Sequence, residues 1–177
     1  MIVIVEGIDR VGKSTFCERL HEYSNWPVYK HDSELFKYSD MDDRNETDKM
    51  LQLLDVIDQL DSQFDPDAKR GIIFDRFHLS NLVYGFKERN YELHNGLVRL
   101  KAIEERLLSM KQKVVLVMLY DDNGTYRASI EHGKDLNEYQ LYFNKLYDSS
   151  KLSKIRGTIG DVDKMAEAVV IASDNME

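Results

Sequence analysis

The sequence predicts an α/β three-layer sandwich, a parallel sheet of about five strands with helices on both faces. Three observations carry this expectation. Short apolar runs alternate with longer segments of helical period along the whole chain. Val114 to Leu119 is apolar throughout, as a parallel strand buried on both faces must be, and it is expected to be central. The first apolar run leads into a glycine-spaced loop and then at once into a helical pattern.

The elements follow in order. Residues 2–6 form an apolar strand. Residues 13–23 place Phe16, Leu20 and Tyr23 at helical spacing. Pro27-Val28-Tyr29-Lys30 reads as a short second strand. Over residues 46–63, Met50, Leu51, Leu54, Ile57 and Leu60 share one helical face. Gly71 to Phe74 is a third strand, continuing into Asp75-Arg76. Helices are expected at about 78–86 and 95–111. Residues 136–150 form an amphipathic helix through Leu136, Tyr139, Phe143, Leu146 and Tyr147. A weaker fifth strand covers Lys154 to Ile159, and residues 162–172 close the chain as a helix. Neither repeats nor linker-like stretches appear, so residues 1–177 are expected to form one domain.

Bulk properties narrow the function classes. With 42% hydrophobic and 32% charged residues, the chain reads as soluble and globular. A net charge of -8 argues against a nucleic-acid polymer as partner, because that needs a basic surface. A small anionic ligand needs only a local cluster of cations. The lone Cys17 excludes an internal disulfide and reads as a small buried residue. No basic leader precedes the first strand and no apolar run reaches membrane-spanning length, so cytoplasm is the default compartment and no membrane partner is expected.

The glycine-spaced loop is the sharpest motif. Gly7, Gly12, Lys13 and Ser14 make G-x-x-x-x-G-K-S between a strand and a helix, the context of a phosphate-binding P-loop. Its backbone N–H groups turn inward on phosphate oxygens, and the following helix adds its positive end. Residues Gly7, Asp9, Arg10, Val11, Gly12, Lys13, Ser14 and Thr15 would form the ATP cradle. Lys13 would place an ammonium on the β- and γ-phosphates, and the Ser14 hydroxyl would ligate Mg²⁺.

A second constellation stands at the end of the third strand. Asp75 is where a nucleotide-bound Mg²⁺ is held in such folds, although an Asp there would also serve as a helix N-cap. Arg76 offers planar, bidentate recognition of a second phosphate group. Lys13 and Asp75 are both expected at element ends in a solvent-accessible crevice.

These two motifs resemble the thymidylate kinase family of nucleoside-monophosphate kinases. Glu6-Gly7-Ile8-Asp9-Arg10-Val11-Gly12-Lys13-Ser14-Thr15 is similar to that family's P-loop, including its Asp-Arg pair. Asp75-Arg76-Phe77 with Ser80, Val83 and Tyr84 is similar to its D-R-Y/H-x-x-S-x-x-A-Y signature. The resemblance implies a P-loop NTPase-type sandwich, ATP and Mg²⁺ as cofactors, and a small nucleotide as substrate, with a homodimer left open. It implies that Asp9 holds the acceptor's sugar hydroxyl or organises the metal shell. Arg10 would sit over the transferring phosphoryl group, which with Asp9 and Lys13 makes the catalytic set. Asp75 would reach Mg²⁺ through water, Arg76 would take the acceptor monophosphate, and Tyr84 would pack beside the deoxyribose. Lys30 occupies roughly the place of a phosphate-binding arginine in the family, with a solvated lysine as the equal alternative.

The chain also departs from the family. Around Asp55 to Gln59 there is no arginine to read a thymine edge, and Gly85 stands where Gln or Thr often follows the Tyr. The lid, about 124–135, is short, with Arg127, His132 and Lys134 as its cations. A deoxynucleotide kinase of viral or prophage type with altered base preference would fit. A deoxynucleoside kinase would instead need a carboxylate base near the second strand, where Asp32 and Glu34 stand. A nucleotide-dependent switch is the rival from another class. Asn144-Lys145-Leu146-Tyr147 lacks the Asp of a guanine-reading motif and falls inside an amphipathic helix. A non-catalytic kinase fold is a third reading, opposed by the intact Lys13, Ser14 and Asp75.

Overall fold

A computed structural model describes residues 1–30, 43–63, 70–120 and 136–174. Five parallel strands form one sheet: β1 Ile2–Glu6, β2 Val28–Lys30, β3 Ile72–Asp75, β4 Val114–Leu119 and β5 Ser153–Gly157. Their order is β2-β3-β1-β4-β5. Six helices connect and cover them: α1 Lys13–Ser24, α2 Asp43–Ser62, α3 His78–Glu88, α4 Leu93–Ser109, α5 Leu136–Ser149 and α6 Val162–Asp174. A single turn of 3₁₀-helix, Ile159–Asp161, leads into α6.

The burial pattern explains why these runs are strands. All five residues of β1 and all six of β4 are buried, because helices cover a parallel sheet on both faces. The edge strand β2 is open to solvent at Tyr29 and Lys30. The middle of the sheet is β1, and β4 lies beside it as an interior strand buried on both faces, as expected. Both have two hydrogen-bonded neighbours, and the same apolar signature results.

Helix α1 packs on α6, α2 on α4, and both α4 and α5 on α3. The aromatic and aliphatic side chains Phe16, Leu20, Phe74, Phe77, Ile103 and Phe143 anchor the core and are almost fully buried. Two residues assigned to apolar helix faces lie outside it: Tyr23 is 53% exposed and Leu60 47%. Both sit near the C-terminal ends of their helices. Helix α2 is fixed to α4 by charge as well: Arg106 donates from Nε to Asp55 (2.9 Å) and from Nη2 to Asp58 (3.0 Å). The fifth strand ends at Gly157, two residues before the expected limit, since Ile159 opens the 3₁₀ turn.

The topology places the carboxyl ends of β1 and β3 side by side. Val5 and Asp75 are register partners, and so are Lys30 and Asp75. The sharp turns after β1 and β3 therefore face one another, at the edge where ligands bind in open α/β sheets.

Candidate active site

The loop between β1 and α1 is built on unusual backbone angles. Gly7 has φ 142° and Gly12 has φ 89°, both hostile to a side chain. Space forbids one as well. A Cβ on Gly7 would strike the Leu119 carbonyl at the end of β4, and one on Gly12 would strike the Ile159 side chain. Gly12 is the N-cap of α1, so the loop delivers the chain directly into the helix's positive end.

Lys13 is buried, with 5% of its surface exposed, and its Nζ donates to the Ile8 carbonyl inside the loop. Burial, with the nearby Arg76 cation, pushes its ammonium down to about 7, against partial support from Asp9, Asp75 and Glu6. The Ser14 hydroxyl donates to Asp75 Oδ2 at 2.9 Å. This joins the two motifs, which stand 61 residues apart.

The expectation of an open crevice for Lys13 and Asp75 is corrected: Asp75 is 8% exposed. Their polar atoms are satisfied within the loop and by Ser14, which lets them sit beneath the surface. The carboxylate does not cap α3, the alternative reading of Asp75.

That cap comes from a residue the sequence did not single out. Phe77 is the N-cap of α3 and its side chain offers no acceptor. Glu6, fully buried at the end of β1, takes over. Its Oε1 accepts from the backbone N–H of Phe77 and of Leu79, both at 3.0 Å, and its Oε2 accepts from Ser80 N–H (3.2 Å) and the Ser80 hydroxyl. The signal was present as a charged residue closing an otherwise apolar buried strand, a placement that requires partners.

Arg76 lies between these groups. Its backbone is left-handed at φ 72°, and its N–H donates to the Val5 carbonyl at 3.0 Å. The guanidinium pairs with Asp9 from the glycine loop and lies over the Tyr84 ring, 4.9 Å from its centre. Burial works against the charge, but Tyr84 and Asp9 hold the guanidinium pKa above its ordinary value. Burial likewise pushes the Tyr84 hydroxyl up, opposed by Arg76. Tyr84 in turn meets Tyr139 (5.5 Å) and Phe143 (6.0 Å) of α5, an aromatic wall beside the guanidinium.

The remaining assigned residues fall as follows. Val11 is buried; Arg10 and Thr15 are exposed, and Arg10 is left-handed at φ 62°. Lys30 is exposed at the end of β2, beside Asp75 in register. Cys17 is buried as expected, and burial pushes its thiol up, away from nucleophilic character. Asp55 and Asp58 face Arg106, so that stretch of α2 spends its polar groups on α4. Gly85 has a packing reason, since a Cβ there would run into the Tyr91 ring. Asn144 lies within α5 and accepts from Gln140 and Arg156. Asp32, Glu34, Arg127, His132 and Lys134 lie outside the described residues.

The donor set fits Mg²⁺. Ser14 and Asp75 offer hard oxygen ligands at adjoining element ends. Among the described residues no group of three or more His, Cys, Asp or Glu could hold an ion by itself. An Mg²⁺ here would take its other ligands from nucleotide phosphates and water, the usual habit of this ion.

Sheet order, glycine loop and the Ser14–Asp75 bond define the class: the chain has the P-loop kinase fold. Solved structures similar to it include kinases and a nucleotide-bound protein. A YorR protein from Bacillus subtilis in complex with phosphorylated GDP matches over 98% of this chain and 96% of its own, at TM-score 0.69 and 21% identity. Deoxyadenosine kinase from M. mycoides with dCMP and dCDP matches over 100% of both chains, at 0.55 and 13%. Thymidylate kinase from Candida albicans matches over 99% of this chain and 93% of its own, at 0.53 and 17%. No family model and no curated protein sequence matches the chain. Among the described residues no helix is long and apolar enough to cross a membrane.

Proposed function

We propose that this protein transfers the γ-phosphoryl group of ATP to a nucleoside or deoxynucleoside monophosphate. The observation that carries the reading is the pairing of Arg76 with Asp9 of the glycine loop, next to the Ser14–Asp75 bond. One turn thus presents a metal-binding carboxylate to the donor side and a guanidinium to the space beside it. Two phosphate-binding elements at one edge suit a reaction that must hold two phosphates in line. The likeness to thymidylate kinase supports a nucleotide acceptor, and the likeness to deoxyadenosine kinase supports the nucleoside alternative.

In this reading the glycine loop and Lys13 hold the β- and γ-phosphates. Ser14 and Asp75 would hold Mg²⁺, which would supply charge neutralisation at the triphosphate. Arg76 holds the acceptor phosphate, with Asp9 keeping the guanidinium aimed toward the loop. Arg10, at the exposed outer turn of the loop, spreads positive charge over the transferring group. Tyr84 lines the wall against which the acceptor's sugar packs. A monophosphate is already anionic and needs no general base; it needs cations, and Arg76 supplies one.

The test is ADP formation from ATP and Mg²⁺ with each of the eight common nucleoside monophosphates. Turnover with at least one of them is the expected result. Background rates with all eight, alongside clear turnover on a nucleoside, would transfer the assignment to a nucleoside kinase.

A further inference from the structure

The geometry points to Glu6 as a positioning residue that holds Arg76 in its working conformation and so aligns the acceptor clamp with the donor loop. This rests on the reading of Arg76 as the group that takes the acceptor phosphate. Arg76 has a left-handed backbone, which a side chain other than glycine, Asn or Asp seldom adopts. Such a conformation persists only where its surroundings fix it. Two hydrogen bonds flank it: Arg76 N–H to Val5 O, and Phe77 N–H to Glu6 Oε1, both 3.0 Å. Val5 and Glu6 are consecutive residues of β1, directly before Gly7. The strand that launches the phosphate loop therefore also grips both sides of the strained residue.

The same carboxylate does two further things. It receives the N–H groups of Leu79 and Ser80 and the Ser80 hydroxyl, the donors that a normal N-cap side chain would satisfy. Asp75 is thereby released from capping and is free to meet Ser14. The negative charge also occupies the positive end of α3, so that end is not offered to a phosphate. Recognition of the acceptor phosphate falls to the Arg76 side chain, whose direction is set by the backbone that Glu6 holds. Glu6 touches no reacting group in this arrangement; it acts through Arg76.

Glu6→Gln keeps the size of the side chain but turns an acceptor into a donor facing the first turn of α3. The structure of this variant is the first arm. Arg76 is expected to leave the left-handed region or to lose Asp9. A folded variant in which Arg76 keeps both overturns the inference. The second arm is a double-mutant cycle with Arg76→Ala, read in acceptor kcat/KM. Glu6→Gln alone is expected to raise the acceptor KM about tenfold, the cost of one weakened phosphate contact, while the KM for ATP holds within about twofold. In the Arg76→Ala background it should cost little more. Equal losses in both backgrounds would mean a merely structural role. Should Glu6→Gln not fold, Glu6→Asp takes its place in both arms, since it keeps the charge but withdraws it by one methylene. Wild-type protein that phosphorylates no monophosphate removes the proposed function alone; the first arm still decides the role of Glu6.

Discussion

The Ser14 hydroxyl donates to Asp75 Oδ2 at 2.9 Å, closing a contact between the start of α1 and the end of β3. Both oxygens are ligands that Mg²⁺ favours, and Lys13 lies buried next to them. Substitution at this contact should strike turnover rather than folding. Asp75→Asn keeps the shape and can still bond Ser14, yet it loses the anionic ligand. A fall in kcat on the order of 10²-fold or more is expected, with an unchanged circular dichroism spectrum. A near-normal kcat would remove Asp75 from the metal site.

Lys13 provides a pH signature. Its folded pKa, about 7, lies below the ordinary 10.5, with burial as the largest cause. Between these values the unfolded chain binds the proton and the folded chain does not. Stability therefore rises with pH across this window, by up to about 1.4 kcal/mol per pH unit from this group. Below pH 7 both states are protonated and the full burial penalty stands. Lys13→Met should lack the rise, so wild type should gain on the variant in denaturant melts from pH 7 toward pH 9.5. Parallel curves would show that Lys13 keeps its ordinary pKa.

The same residue should couple nucleotide binding to proton uptake. A triphosphate beside Nζ stabilises the charged form and pulls its pKa back up. At pH 8, calorimetry in buffers of different ionisation enthalpy should report uptake of on the order of one proton per ATP bound. No buffer dependence would contradict the buried, discharged lysine.

Arg10 and Arg76 should separate kinetically. Arg10→Gly is well suited to its left-handed backbone, so it removes the guanidinium without straining the loop. Its kcat is expected to fall by on the order of 10²-fold with little change for ATP affinity. Arg127→Ala should do much less; the reverse order would give the catalytic role to Arg127 instead. Arg76→Ala should raise the acceptor KM roughly tenfold to a hundredfold and spare ATP.

Gly85→Ala tests a packing claim. The added methyl would enter the Tyr91 ring, so the cost should be about 1–3 kcal/mol in chemical denaturation. A double substitution with Tyr91→Ala should recover much of it. An unchanged midpoint for Gly85→Ala alone would show that Tyr91 moves aside freely.

The sequence by itself determined the alternation of strands and helices, the glycine loop and the Asp75-Arg76 pair. Each rests on local periodicity or on short spacing, and the chain carries those without reference to its folded neighbours. Only the tertiary structure decided that β1 is the middle strand with β4 beside it, since two strands buried on both faces look alike in a sequence. Only it showed Lys13 and Asp75 beneath the surface, because burial there depends on partners brought in from 61 residues away. Glu6 is the clearest case. Its value lies in four hydrogen bonds to a helix that begins more than seventy residues later, and no local pattern records a cap supplied from another strand.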